Sequence, residues 1–545
     1  MKISKSFSTN FAVRGALLLL GFFVFSFYIY PPLLLFFKGR GAFGLLLHSR
    51  GLSRSLLNSI GLSISVFIAA SVIGGVLAVI AVRTNCRLRK LINRGALLSF
   101  AIPPYILALA WVQIFGRNGY FERIIHIVTG TDTWHSNPYS LRAAAIVMTL
   151  HLYPLMYMSL RNALDQLSPQ LEQAALLAGA SSLRVLSGIT LPLIIPNLLS
   201  TGLLVFSRTM ANFSVPALLC LPSGIKVVPT GIYSALSGLR IGEAAFMSMV
   251  LVLVSTVLYI AHAMMLRDQQ RENHVRKGCS AVVKQGRAAV YFGVYLFFIV
   301  ACILPLISMF ISSLLLRWGL PLKAGYFTLN NYRELFGGSG DAARAFCNSL
   351  VYGGTASLLA AVVGGAAVLA ANSRRSAAGR VIEAAASWPM AIPNTVLAVA
   401  AIFAWNRPPL KLYGTSWVII VTYMVLFTPI IMKQVSGLVS SQDKRLTTAA
   451  RTMGAGRLRA FFTISLPLSA PGFISGVVIC LMISLREIPI SLMLYSAGQE
   501  TVGVLLFGMQ SRSYGLEMTS ALAVVLIGVI LAGNKLLEVF SGGKM

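Results

Sequence analysis

Gln173-Ala174-Ala175, three residues, Gly179, nine residues, then Ile189-Thr190-Leu191-Pro192: this stretch returns later in the chain as Thr448-Ala449-Ala450, three residues, Gly454, nine residues, then Ile464-Ser465-Leu466-Pro467. Both copies lie on charged segments between long apolar runs. A polar element repeated at fixed spacing in an oily chain reads as a contact device present in duplicate.

The surroundings of the motif set the fold class. Of 545 residues, 57% are hydrophobic and 11% charged, with a mean hydropathy of +0.79; soluble domains carry charge on roughly 25% of residues. Runs of about 20 apolar residues, enough to cross the hydrocarbon core as a helix, lie near 15–37, 58–82, 95–115, 142–162, 193–220, 243–266, 288–316, 348–371, 384–405, 416–436, 470–495 and 516–538. The chain reads as an all-α membrane protein with twelve transmembrane helices.

The net charge of +30 comes from basic residues scattered through short loops, with no aromatic-basic face, so it excludes a nucleic-acid partner. More than half of the 45 Lys and Arg fall on the side that holds the N-terminus, which places both termini and both motif copies in the cytoplasm. The opening run to Phe37 is too long for a signal peptide and reads as an uncleaved first helix. The six cysteines include no C-x-x-C pair and no His/Cys cluster, so neither a disulfide framework nor a metal site is expected.

The duplication extends beyond the motif. Asn58-Ser59 recurs as Asn348-Ser349, Gly74-Gly75 as Gly364-Gly365, and Ala101-Ile102-Pro103 as Ala391-Ile392-Pro393, each 290 positions on. From the fourth crossing the offset is 275, as in Pro154 to Pro429 and Pro196 to Pro471, which assigns extra residues to the outer loop 116–141 of the first half. Six crossings per half give two parallel repeats related by an axis along the membrane normal. The expected units are 1–266, a cytoplasmic linker 267–287, and 288–545.

Segments Leu167–Leu186 and Lys444–Phe462 read as cytoplasmic helices, with the next crossing beginning at Pro192 and Pro467. The Ala-Ala pair and the following Gly then share one small face that a partner can approach closely. These residues resemble the EAA signature of ABC-importer permeases. The resemblance implies the type I importer permease fold and two copies of an ATP-hydrolysing ABC subunit docked on Gln173, Ala174, Ala175, Gly179, Ile189, Leu191 and Pro192, and on Thr448, Ala449, Ala450, Gly454, Ile464, Leu466 and Pro467. The leading glutamate of the signature is absent from both copies; Glu172 stands one place early. No G-x-x-x-x-G-K-[ST] loop occurs, so this chain is not itself the ATPase and needs no cofactor.

The fused layout, with the stretches Ala101–Trp111, Ser214–Leu219 and Arg486–Leu492, resembles permeases of the iron(III) type. That implies an inner-membrane importer fed by an outer-side binding protein, with membrane lipid around it. Thiamine and phosphonate permeases share the layout and remain alternatives.

Arg208, Asn212, Arg486 and Glu487 lie within apolar runs, where each charge costs on the order of 2.5–3.5 kcal/mol at the bilayer centre. Asn212 and Glu487 stand at matching positions of the two halves, which reads as a translocation lining or gate; the alternative is an internal Arg–Glu pair that fixes helix packing. Arg208 is a candidate cross-half partner for Glu487. His151 reads as a packed histidine, and Tyr28, Tyr30, Trp111 and Trp417 as interfacial belts. With Glu487 nearly alone as an intramembrane carboxylate, the lining offers no tight ferric site of its own. The same scarcity disfavours an ion-coupled secondary transporter, and no convergent catalytic set supports a membrane enzyme.

Overall fold

The computed structural model describes residues 15–42, 50–83, 86–130, 137–272, 288–337, 340–372, 377–408, 410–441, 444–511 and 515–540. The basic stretch 1–14, residues 273–287 of the expected linker and residues 131–136 of the expected outer loop lie outside the described residues.

An apolar chain in hydrocarbon must pair its own backbone groups, and helices do this within each segment. Among the described residues ten helices are long and apolar enough to cross a membrane, and two bent helix pairs bring the set to twelve. The first half holds Gly15–Gly39, Gly51–Arg83, Leu88–Ala101 with Pro104–Thr129, Leu141–Gln166, Ser182–Met210 and Ile241–Met265. The second holds Ala288–Leu314, Asp341–Ala371, Ala377–Ala391 with Asn394–Trp405, Ser416–Val439, Thr463–Arg486 and Leu516–Lys535. This is an all-α membrane protein of two parallel six-helix repeats.

The third span of each half is not a straight crossing, contrary to the reading of the apolar runs. It bends by 94° in the first half and 115° in the second. Both breaks fall at the repeated Ala-Ile-Pro. Proline excludes the preceding residue from helical geometry, and Ile392 accordingly takes φ −93°, ψ 126°.

Two other repeated landmarks also find their reasons. Asn58 Nδ2 donates to the Lys226 carbonyl at 2.9 Å and Ser59 Oγ accepts from Val228 N at 2.8 Å. Asn348 donates to the Gly498 and Glu500 carbonyls at 3.1 and 3.0 Å, and Ser349 Oγ accepts from Val502 N at 2.9 Å. Each Asn-Ser pair therefore satisfies backbone groups at the start of a later helix, Val228–Ser237 or Val502–Ser511. Gly74 marks the close crossing of the second and fourth spans: a Cβ there would lie 2.7 Å from Met156 Cβ and 2.8 Å from Tyr157 N.

The two hydrophobic cores do not follow the two halves of the sequence. One gathers the second to fifth spans of the first half with Val294–Met309 and Leu485–Ile530 of the second. The other gathers Val24–Leu35 and Val228–Val252 of the first half with the body of the second. The first spans carry this exchange. Tyr30–Gly39 packs on Asn394–Trp405, and Leu304–Leu314 packs on Pro104–Phe115. Tyr28 is fully buried and shares a 2.6 Å hydrogen bond with Thr428 of the other half. It is thus a core residue, not the interfacial anchor its place near a run end suggested; Tyr30 and Trp417 are exposed.

Candidate functional site: two elbows and an intramembrane cation cluster

The duplicated motif folds as an elbow between the fourth and fifth spans. In the first copy Pro169 opens a helix, Pro169–Leu177, at the position where its fixed φ is helical and its missing N–H is not needed. That helix ends at Gly179, with φ +86°. Ala178 N donates to Ala174 O at 2.9 Å and Ala180 N to Ala175 O at 3.0 Å, which satisfies the last carbonyls. The second copy repeats the turn: helix Lys444–Thr452, Gly454 at φ +90°, and Ala455 N donating to Ala450 O at 3.0 Å.

The single helix read through Leu167–Leu186 is therefore broken in two, as is its counterpart. Among the described residues of this chain the two glycines pack against nothing. A Cβ at either would meet nothing within 4 Å, so glycine is required by its left-handed backbone. The break lies at Gly179 and Gly454, not at Pro192 and Pro467. Those prolines sit just inside continuous fifth spans, each preceded by a wide turn, Leu186–Thr190 or Phe461–Ser465, in which i→i+5 bonding accommodates the missing N–H. Ile189, Leu191 and Pro192, like Ile464, Leu466 and Pro467, belong to these spans.

What the elbows expose is specific. Gln173 and Ala174 are exposed and Ala175 half-buried; Thr448, Ala449 and Ala450 repeat the order. Leu171 and Leu446, at equivalent positions, are 54% and 50% exposed, and Leu177 and Met453 are each 89% exposed. Each elbow thus exposes apolar side chains outside the apolar spans.

Sequence reasoning missed how the first elbow is held. Glu172 is buried; its Oε1 accepts from Arg83 Nη2 at 2.8 Å and from Thr190 Oγ1 at 2.8 Å. The elbow helix is thus tied to the end of the second span and the start of the fifth. The early glutamate turns inward instead of toward a partner. At the matching positions of the second half stand Ser373, Thr447 and Ser465, so this ion pair has no counterpart of the same chemistry. The signal available in sequence was only Glu172 itself, since nothing in spacing names Arg83, 89 positions away.

Within the membrane, Asn212 and Glu487 occupy equivalent places and do equivalent work. The fifth span stops just before each, and a short helix follows: Ser214–Leu219 or Pro489–Leu494. Asn212 Oδ1 accepts from Val215 N at 3.0 Å. Glu487 accepts from Ile490 N at 2.9 Å, Ser491 N at 3.1 Å, Asn394 Nδ2 at 3.2 Å and Tyr423 OH at 3.3 Å. Both side chains cap the broken helix after them, filling backbone donors that hydrocarbon leaves unpaired. The expected Arg208–Glu487 pair does not form, because the carboxylate is already committed to these donors. Asn394 and Tyr423 were not foreseen as its partners.

Arg208 and Arg486 end the two fifth spans and lie within electrostatic reach of one another across the halves, with His151 close to both. Among the described residues neither guanidinium has an ion-pair or hydrogen-bond partner. Arg208 is surrounded by helices yet accessible to water, and Arg486 reaches a small cavity lined by Pro103, Tyr105, Ser214, Ile488 and Gly503. The His151 ring stacks on Phe100 at 5.5 Å with its Nδ1 buried and unpartnered.

Two elbows at the same point of parallel repeats, each exposing a small-residue surface, agree with the family comparison. The model for binding-protein-dependent transport system inner membrane components matches residues 70–270 and 363–541. The chain belongs to this family. It is the permease component of an ABC importer, a multi-pass membrane protein whose relatives work with ATPase and substrate-binding partners. The ferric transport system permease protein FbpB of Actinobacillus pleuropneumoniae is 26% identical over 95% of this chain and 77% of that relative. A putative 2-aminoethylphosphonate transport system permease protein, PhnV of Salmonella typhi, is 30% identical over 45% of this chain and 92% of its own length. Among solved structures, a chain of a bacterial importer of the acidic polysaccharide alginate covers 46% of this permease at 16% identity, with a TM-score of 0.36.

Proposed function

We propose that this permease moves ferric iron inward across the inner membrane, driven by two copies of a separate ATPase subunit, one on each elbow. The observation that carries the docking is the matched exposure of Leu171 with Leu446 beside Ala174 and Ala449. The iron assignment is supported by the resemblance to FbpB along nearly the whole chain. In this reading the N- and C-termini and the linker 267–287 face the cytoplasm, and a binding protein delivers substrate on the opposite side. Units 1–266 and 288–545 supply the two walls of the pathway.

The elbow is suited to coupling. It joins the fourth span to the fifth through one turn, and the fifth span runs without a break from there to the capped ends at Asn212 and Glu487. Movement of an elbow by an ATPase closing on ATP is transmitted along a rigid rod to the region between the halves. PhnV similarity favours a phosphonate as the second substrate reading.

The test is copurification from detergent followed by uptake. The chain should retain an ATPase, and cells should accumulate radiolabelled iron(III) in a manner that needs it. Leu171→Asp with Leu446→Asp should release the ATPase and stop uptake while the chain remains in the membrane. Retention of the ATPase in that double variant would sink the docking model.

A further inference from the structure

A pathway for a metal cation is expected to carry negative or neutral ligands, and this one carries the reverse. Arg208 and Arg486 close the fifth spans of opposite halves, without a carboxylate partner among the described residues, and His151 approaches both. The nearest carboxylate in sequence, Glu487, spends its oxygens on Ile490 N, Ser491 N, Asn394 and Tyr423. The C-terminal ends of the two fifth spans offer only about half a negative charge each. That leaves the two guanidinium charges, within electrostatic reach of one another with Arg208 open to solvent and Arg486 half-buried, only partly compensated. Two unpaired guanidinium groups so placed attract an anion.

We infer that the species passing between the two halves presents an oxyanion to Arg208 and Arg486, so that iron crosses as an oxyanion-complexed ferric ion rather than as a bare cation. Guanidinium groups suit this task because their planar N–H forks match carboxylate, carbonate, phosphate and phosphonate oxygens. A bare trivalent ion would meet repulsion from every charge in the cluster. His151 adds a further donor, and Ser214, beside Arg486 on the cavity wall, a hydroxyl. The inference rests on the import reading but not on iron: a phosphonate would satisfy the same residues directly.

Two measurements test it. Membranes holding the permease are treated with phenylglyoxal, which modifies arginine, and labelling of Arg208 and Arg486 is read by mass spectrometry. Ferric citrate or 2-aminoethylphosphonate should protect both arginines, whereas chloride at matched ionic strength should not. Uptake of iron(III) and of 2-aminoethylphosphonate is then compared in Arg208→Gln/Arg486→Gln and Arg208→Lys/Arg486→Lys cells. The glutamine pair should lose at least about tenfold in uptake, as expected for removing charged hydrogen bonds to substrate, while still retaining its ATPase; the lysine pair, which keeps the charge without the planar fork, should fall between the glutamine pair and the native chain.

Undiminished iron uptake by the glutamine pair overturns the inference and leaves the iron assignment standing. Protection by the phosphonate alone, with no iron uptake by the native chain, removes the iron assignment and upholds the inference. Absence of protection by either compound overturns it.

Discussion

Glu172 and Arg83 meet at 2.8 Å, side chains 7% and 15% exposed, and join the first elbow to the end of the second span. Thr190 donates to the same carboxylate oxygen. The charge that the sequence places one position ahead of the motif thus fixes the elbow's attitude. Glu172→Ala leaves a nearly buried guanidinium unpaired and should cost about 2 kcal/mol. Thermal unfolding in detergent should shift downward, and ATPase retention should weaken. Glu172→Gln keeps an acceptor for Thr190 and should lie between the two. No loss in the alanine variant would show that the anchor is idle.

Gly179 and Gly454 hold φ of +86° and +90° with open space where a side chain would go. Alanine at either position should cost about 1–2 kcal/mol from the left-handed backbone alone. Asparagine, which tolerates that region, should cost less. The measurement is uptake and ATPase retention side by side; equal loss for Ala and Asn would point to shape instead of backbone conformation.

Glu487 and Asn212 act as caps, so their replacements should grade by hydrogen-bonding capacity. Glu487→Gln retains an acceptor for Ile490 N and should preserve most of the stability, whereas Glu487→Ala and Asn212→Ala should each lose about 0.5–2 kcal/mol. Unfolding of the purified permease in detergent checks the order. If Gln and Ala at 487 prove equally damaging to uptake while stability is unchanged, the carboxylate has a transport role beyond capping.

Gly74 and Gly75 provide an internal control on helix packing. Alanine at 74 would press within 3 Å of Met156 Cβ and the Tyr157 backbone, while alanine at 75 would meet only Leu160 Cδ1 at 3.7 Å. Gly74→Ala should destabilise by about 1–3 kcal/mol, as overpacking does. Gly75→Ala should be close to neutral. The same unfolding assay on both variants decides it.

Much of the fold was legible in the chain because hydropathy and duplication are local and periodic. The apolar runs found spans, the third of each half as a bent pair, and the Asn-Ser, Gly74 and Ala-Ile-Pro landmarks found structural reasons. Two of the departures share one cause. A left-handed glycine looks like a small residue, and a proline inside a helix looks like a start, because sequence shows size and order but not φ or a wide helical turn. The left-handed turn at Gly179 and the wide turn before Pro192 are therefore invisible in the sequence. Tyr28 was misplaced because its partner, Thr428, is 400 positions away.

By itself, the sequence determined an all-α membrane chain, its duplication, the two motif copies and the residues that carry charge into hydrocarbon. Bilayer thickness and the cost of unpaired backbone leave few other solutions. The tertiary structure alone decided which residues meet: the exchange of first spans between cores, Arg83 with Glu172, the commitment of Glu487 to backbone donors, and the approach of Arg208 to Arg486. Those outcomes depend on the relative placement of distant helices. No period or spacing within one segment encodes it.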